Sequence, residues 1–168
     1  MGEARATVRT ADEPCLSAIM DTPLGPIRLT WAEGGLQELD LEPDPSPGLA
    51  RGAPETLTAE LTAYFADPGH RFGLPLRPAG TPFQRRVWEA LRAIPPGQTR
   101  TYGELAAELG TSARAVGGAC RANPCPIVVP CHRVVGATGL GGFAGDTSGR
   151  KLDVKRWLLR HEGAKAPA

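Results

Sequence analysis

Apolar and polar positions alternate, or recur at helical spacing, in stretches separated by proline and glycine. Ile27, Leu29 and Trp31 alternate with Arg28 and Thr30, Glu33-Gly34-Gly35 turns the chain, and Leu39 and Leu41 alternate again. That pattern predicts an antiparallel hairpin with one buried face. Residues 1–15 carry no such period and read as a loose tail, and Pro43, Pro45, Pro47 and Pro54 exclude a regular element from 42–54. Leu57, Leu61, Tyr64 and Phe65 then form the stripe of a short amphipathic helix. Prolines and glycines interrupt the chain between Asp67 and Gly80, and the boundary between an N-terminal unit, 1–78, and a C-terminal unit, 79–168, falls there.

The second half is more regular. Thr81-Pro82 reads as an N-cap with proline at the first helical position, followed by Phe83, Val87, Ala90, Leu91 and Ile94 on one face. Pro95-Pro96-Gly97 stops that helix. Thr101-Tyr102-Gly103-Glu104 reads as a capping box opening a second helix that ends at Gly110, and Ser112 caps a third from about Ala113 to Ala122. Two short helices around a tight turn predict a helix-turn-helix whose second helix carries Arg114 and Arg121. That helix is almost without bulk, and its two glycines cost roughly 1–2 kcal/mol against alanine. Close packing inside the protein is one explanation. Close approach of a nucleic-acid groove is the favoured one.

Composition and charge sharpen this. The 168 residues include 21 Gly and 17 Pro, loop-rich but within the globular range. No run of eighteen apolar residues occurs, so no membrane span is expected. A polar start at Glu3 and Arg5, without an apolar run behind it, does not read as a signal peptide, and the reducing cytoplasm is the expected compartment. The net charge of +1 hides an asymmetry: residues 1–80 carry 6 basic against 12 acidic side chains, and residues 81–168 carry 13 against 6. Sixteen of the 19 basic residues are Arg, suited to bidentate phosphate contact. A basic second half points to a polyanionic partner.

The chemistry concentrates in Asn123-Pro124-Cys125-Pro126-Ile127-Val128-Val129-Pro130-Cys131-His132-Arg133. Three prolines predict an extended, buried, apolar run. Cys131 follows it, where a neighbouring His or Arg or a helix terminus could activate the thiol. In an extended chain Cys131 and His132 point to opposite sides, so a base role for His132 needs a water or a local bend, and an acidic partner. Glu162, in the last turn of a helix expected over 149–162, opposes the helix dipole and is a candidate for that partner. An exposed glutamate at small cost is the plainer alternative. A zinc site from Cys120, Cys125, Cys131 and His132 matches no common ligand spacing. Cys15 and Cys125 read as core thiols.

Pro130-Cys131-His132-Arg133-Val134, Asn123-Pro124, Arg114-Ala115-Val116-Gly117 and Trp157-Leu158-Leu159-Arg160-His161-Glu162-Gly163, in this order, resemble the O6-alkylguanine-DNA alkyltransferases, the methylated-DNA–protein-cysteine methyltransferases. The resemblance is dense over 80–163 and extends weakly to Thr22-Pro23-Leu24-Gly25-Pro26. It implies an α+β fold: a small N-terminal α/β domain (antiparallel hairpin sheet plus helix) and a mainly helical, winged helix-turn-helix-like C-terminal domain. It implies binding of double-stranded DNA in the minor groove, flipping of the base, and single-turnover transfer of an alkyl group from O6-alkylguanine, and of O4-alkylthymine as a further substrate, to Cys131. By the same resemblance His132 is a water-mediated base, Glu162 orients it, Asn123 holds the turn beside the thiol, and Tyr102 crowds the 3′ phosphate of the DNA and donates to the leaving base. Arg114 fills the gap in the duplex, Arg121, Ala113 and Gln84 contact DNA, and Val134, Phe143 and Ala144 line the base pocket. No cofactor, metal, membrane or obligate protein partner is implied, and a monomer is expected.

Three departures bear on substrate range. The turn from Gly110 to Arg114 is two residues shorter than in familiar members. Phe143 stands for the usual tyrosine, and 146–150 add about four or five residues. The zinc site of some relatives has only Cys15 and His70 available in the first half. Two other classes share some of these features: a DNA-binding damage sensor with a structural or redox cysteine, and a Cys–His hydrolase, which has no use for Arg114 or the small-residue helix.

Overall fold

The computed structural model describes residues 16–43, 53–141 and 149–164. Strands β1 (Leu16–Thr22), β2 (Gly25–Ala32) and β3 (Gly35–Asp40) form an antiparallel sheet in the order β1-β2-β3. The expected hairpin is β2–β3. β1 was not legible because only Ala18 in it is buried, which leaves no two-residue period to read. A register shift at Thr30/Trp31 lets Leu36 and Leu39, an odd spacing apart, both face the core. The expected tail, 1–15, lies outside the described residues.

Helix α1 (Glu55–Ala66) buries Leu57, Leu61 and Tyr64. Helix α2 (Pro82–Arg92) opens on a reciprocal cap: Thr81 Oγ1 accepts from the Gln84 N–H at 3.1 Å, and Gln84 Oε1 accepts from the Thr81 N–H at 2.9 Å. The two-residue β4 (Arg100–Thr101) leads into α3 (Tyr102–Leu109). Here only half of the expected capping box forms. Thr101 Oγ1 accepts from the Glu104 N–H at 3.0 Å, but the Glu104 carboxylate turns to Arg100, 3.6 Å from its Nε. An ion pair in the first turn competes with the reach back to the cap.

Gly110 ends α3 at φ +66°, a left-handed conformation that favours glycine although a Cβ there would meet nothing within 4 Å. Ser112 then caps α4 (Ala113–Arg121). A 3-10 turn (Cys131–Arg133), the short β5 (Val134–Val135) and α5 (Arg150–His161) are the remaining elements among the described residues, with Glu162 as the C-cap residue and Gly163 at φ +74°. The fold is α+β, as the sequence implied.

Both halves feed one hydrophobic cluster: Leu29, Leu61 and Tyr64 are packed in it with Leu91, Val116, Ile127 and Val134. Backbone bonds cross between them as well. The Leu39 N–H donates to the Pro124 carbonyl at 2.8 Å, which ties the sheet to the cysteine segment. The Trp88 indole N–H donates to the Ala119 carbonyl at 2.9 Å, which seats α4 on α2.

Candidate active site

The segment before Cys131 is buried as expected, but it is a series of turns and not extended. The Val129 N–H reaches the Cys125 carbonyl at 2.9 Å. Asn123 braces this turn from both sides: its Nδ2 donates to the Val129 carbonyl at 2.8 Å, and its Oδ1 accepts from the Cys125 N–H at 3.0 Å. Proline restricts the residue before it, but it does not prevent the chain from reversing when a side chain supplies the missing bonds. Ile127 sits at φ +75°, the one non-glycine residue with positive φ among the described residues. A β-branched residue there costs on the order of 1–3 kcal/mol, strain that the surrounding core must hold.

The strand geometry expected for Cys131 and His132 is also replaced. Both lie in the 3-10 turn, the local bend left open by the sequence, and with Arg133 they are buried, Cys131 to 4% and His132 to 0% exposure. The turn sends His132 toward the end of α5. There His132 Nε2 lies 2.9 Å from Glu162 Oε2. A carboxylate only accepts, so Nε2 carries the hydrogen and Nδ1 of the neutral ring is the acceptor. Nδ1 is buried and makes no hydrogen bond among the described residues.

Glu162 is therefore no exposed glutamate tolerated at a helix end. Arg133 grips its carboxylate with two donors, Nε to Oε1 at 2.9 Å and Nη2 to Oε2 at 2.7 Å, while Nη1 donates to the Ile94 carbonyl at 2.7 Å. The Tyr64 hydroxyl donates to Oε2 at 2.7 Å. Burial alone would raise the Glu162 carboxyl, but the hydrogen bonds and charges of Arg133 and His132 outweigh it and hold it down at about 2. Burial pushes His132 down, against the pull of the same carboxylate, so the imidazole rests neutral.

Burial pushes the Cys131 thiol up to about 11, opposed by a hydrogen bond from Asn123 and by the charge of Lys155. Lys155 is fully buried on α5. Its Nζ donates to the Val134 carbonyl at 2.7 Å and lies 5.9 Å from the centre of the Tyr102 ring. Burial lowers this amine to about 8, against the charges of Cys131 and Cys120 that would raise it. The site thus holds a thiol that resists ionisation next to a cation that favours it.

Tyr102 arrives beside this group because β4 pairs in parallel with β5, Arg100 opposite Val134 and Thr101 opposite Val135. Gly141, at φ +75°, presses on it: a Cβ there would lie 3.0 Å from the Tyr102 ring. Burial raises the Tyr102 phenol, which therefore keeps its proton as a donor. Val134 is buried in β5. Phe143 and Ala144 lie outside the described residues.

Of the other sequence-selected residues, Arg114, Arg121 and Ala113 are exposed on α4, away from Cys131 on the buried side. Arg114, Gly117, Gly118 and Arg121 share one helical face at i, i+3, i+4 and i+7. A Cβ at Gly117 or Gly118 would meet nothing within 4 Å, so no packing inside the protein calls for these glycines. Gln84 has a local task as the reciprocal cap of α2. Cys125 is fully buried, and Cys15 lies outside the described residues.

Sequence reasoning missed three residues of the site. Tyr64 read as one more core position. Arg133 was seen only as a neighbour of the thiol. Lys155 had a readable signal, a charge at helical spacing from Leu152, Leu158 and Leu159 on a buried face.

Against known proteins, residues 82–164 match the family described as 6-O-methylguanine DNA methyltransferase, DNA binding domain. The chain is 43% identical over 157 residues to the methylated-DNA–protein-cysteine methyltransferase of Methanosarcina acetivorans, covering 88% of this chain and 97% of that protein. The crystal structure of the Mycobacterium tuberculosis O6-methylguanine methyltransferase superposes with a TM-score of 0.76 at 40% identity, over 92% of this chain and 96% of the other. A structure of the M. tuberculosis OGT in complex with DNA gives 0.74 at 40% identity, over 90% and 94%. Identity at this level along almost the whole chain, with a cysteine, histidine and glutamate joined in one buried cluster, makes this protein a member of the methylated-DNA–protein-cysteine methyltransferase family.

Proposed function

We propose that this protein repairs double-stranded DNA by moving the alkyl group of O6-alkylguanine onto Cys131, once per protein molecule. The observation that carries the reading is the buried chain of contacts Glu162–His132 ending at an imidazole Nδ1 that is free to accept, one residue from the thiol. Neutral His132 takes the Cys131 proton through a water, and Glu162 stabilises the imidazolium that results. The thiolate attacks the alkyl carbon. The S–C bond forms as the C–O6 bond breaks, and the departing guanine gains a proton or a hydrogen bond, supplied by Tyr102. Asn123 holds the turn that carries the thiol. A thioether does not hydrolyse readily, so the acceptor is consumed.

The thiol is buried, so the base must come to it out of the duplex, and flipping costs a few kcal/mol. Arg114 fills the gap left by the base, Arg121 and Ala113 contact the backbone, and Gln84 lies at the edge of that surface. The glycine face of α4 seats in the minor groove. Val134, with Phe143 and Ala144, lines the guanine pocket. O4-alkylthymine is a further substrate of the same site. The division at residue 78 belongs to this reading: 79–168 bind DNA and accept the alkyl group, and the protein acts as a cytoplasmic monomer.

The test is to mix the protein with a duplex carrying one O6-methylguanine and read intact and peptide masses. One added methyl on the peptide containing Cys131, stopping at one per protein and absent in Cys131→Ser, is the expected result. An unmodified Cys131 in folded, DNA-bound protein overturns it and leaves a damage sensor.

A further inference from the structure

Tyr64 and Glu162 are 98 residues apart in the chain, yet the phenol donates to Oε2 within the buried cluster. The same oxygen faces His132 Nε2 at 2.9 Å and Arg133 Nη2 at 2.7 Å. Three donors thus meet one carboxylate oxygen, which offers about two lone-pair sites, so each weakens the hold of the others. We propose that Tyr64 is a positioning residue of the alkyl-acceptor site, supplied by the N-terminal half, which shares Glu162 Oε2 with His132 and so sets how strongly the carboxylate holds the imidazole.

Packing fixes the phenol independently of Glu162. The Tyr64 ring lies 5.3 Å from Phe72 and meets His161 edge-on at 5.2 Å, and His161 Nε2 is 2.9 Å from the Tyr64 carbonyl oxygen. Burial raises the phenol, and the charge of Glu162 raises it further, so it remains a donor. A hydroxyl merely satisfied by a convenient acceptor would leave His132 indifferent to its removal.

The inference rests on the reading of His132 as the base, and the experiment keeps the two apart. In the full chain Tyr64→Phe deletes one oxygen. The NMR resonance of the His132 Nε2 proton is expected to move downfield, because Oε2 becomes a stronger acceptor for it, and transfer from the O6-methylguanine duplex is expected to quicken by up to about tenfold, because a firmer hold on Nε2 stabilises the imidazolium that forms. Phe72→Leu loosens the same ring but keeps the hydroxyl, and is expected to move the resonance less than Tyr64→Phe does. Tyr64 replaced by 3-fluorotyrosine, a stronger donor, is expected to move it upfield and covers the case in which Tyr64→Phe does not fold. An unmoved resonance on either change at Tyr64, or an equal shift in Phe72→Leu, overturns the proposal. A shifted resonance with unchanged transfer supports the coupling and counts against His132 as the base.

Discussion

At the scale of single residues, Cys131 and Lys155 are perturbed in opposite directions by the same cause. Burial lifts the thiol to about 11 and lowers the amine to about 8, and the charged form of each favours that of the other. Around them stand Cys120 on α4, raised by burial to about 12, the raised phenol of Tyr102 on α3, and neutral His132. Lys155→Met removes the only cation among these groups. The midpoint of Cys131 alkylation by iodoacetamide is expected to move to higher pH, as read by peptide mass. An unchanged midpoint would assign Lys155 to holding the Val134 carbonyl alone.

Glu162 makes a separate prediction. Its carboxyl is held at about 2 in the fold against an ordinary value of 4.5, so its stabilising contribution is complete above 4.5 and is lost as pH falls toward 2. His132, held below 6.5 by burial, adds a loss that begins as pH drops through 6.5. Acid denaturation should therefore steepen below 4.5, and Glu162→Gln should remove that steepening. The same variant leaves Arg133 with an uncompensated buried charge, at a cost of about 3–5 kcal/mol in denaturant melts at neutral pH.

At the scale of elements, α4 shows a helix whose inner and outer faces answer to different demands. Val116, Ala119 and Cys120 face inward, and the Trp88 indole fixes the helix through the Ala119 carbonyl. The outer glycines have open space beside them. Gly118→Ala is therefore expected to raise stability by up to about 1 kcal/mol, read as a higher Tm. It should also weaken duplex binding if, as proposed above, the added methyl stands on the face that seats in the groove. A loss of stability would mean that the glycine serves the fold after all. The caps of this half were readable from sequence because an N-cap bond is a local event, four residues long. The reciprocal half of the Thr101 box does not form, because the Glu104 carboxylate pairs with Arg100.

At the scale of the whole molecule, the excess of basic over acidic residues lies in 81–168, and the excess of acidic residues lies in 1–80. Duplex affinity should fall steeply with salt as phosphate contacts release counterions. Arg114→Ala and Arg121→Ala should each lower the log–log salt slope by about 1. A slope unchanged in both variants would move the interface off α4. The acidic first half is more than ballast for the basic one: its sheet anchors the cysteine segment through the Leu39–Pro124 bond, and its helix delivers Tyr64 to Glu162.

What the chain determined by itself was local or carried by motif order: β2 and β3 through their alternation, the helices through stripe and cap, and the candidate cysteine, histidine and glutamate through their sequence context. What only the tertiary structure decided was long-range. The turns before Cys131 depend on both ends of one asparagine side chain. The neutral state of His132 depends on its burial, and the carboxylate of Glu162 depends on donors 29, 30 and 98 residues away. Periodicity reports which face of an element is buried, because burial repeats along it. It does not report which buried polar atoms meet, because that is settled only when separate elements share one core.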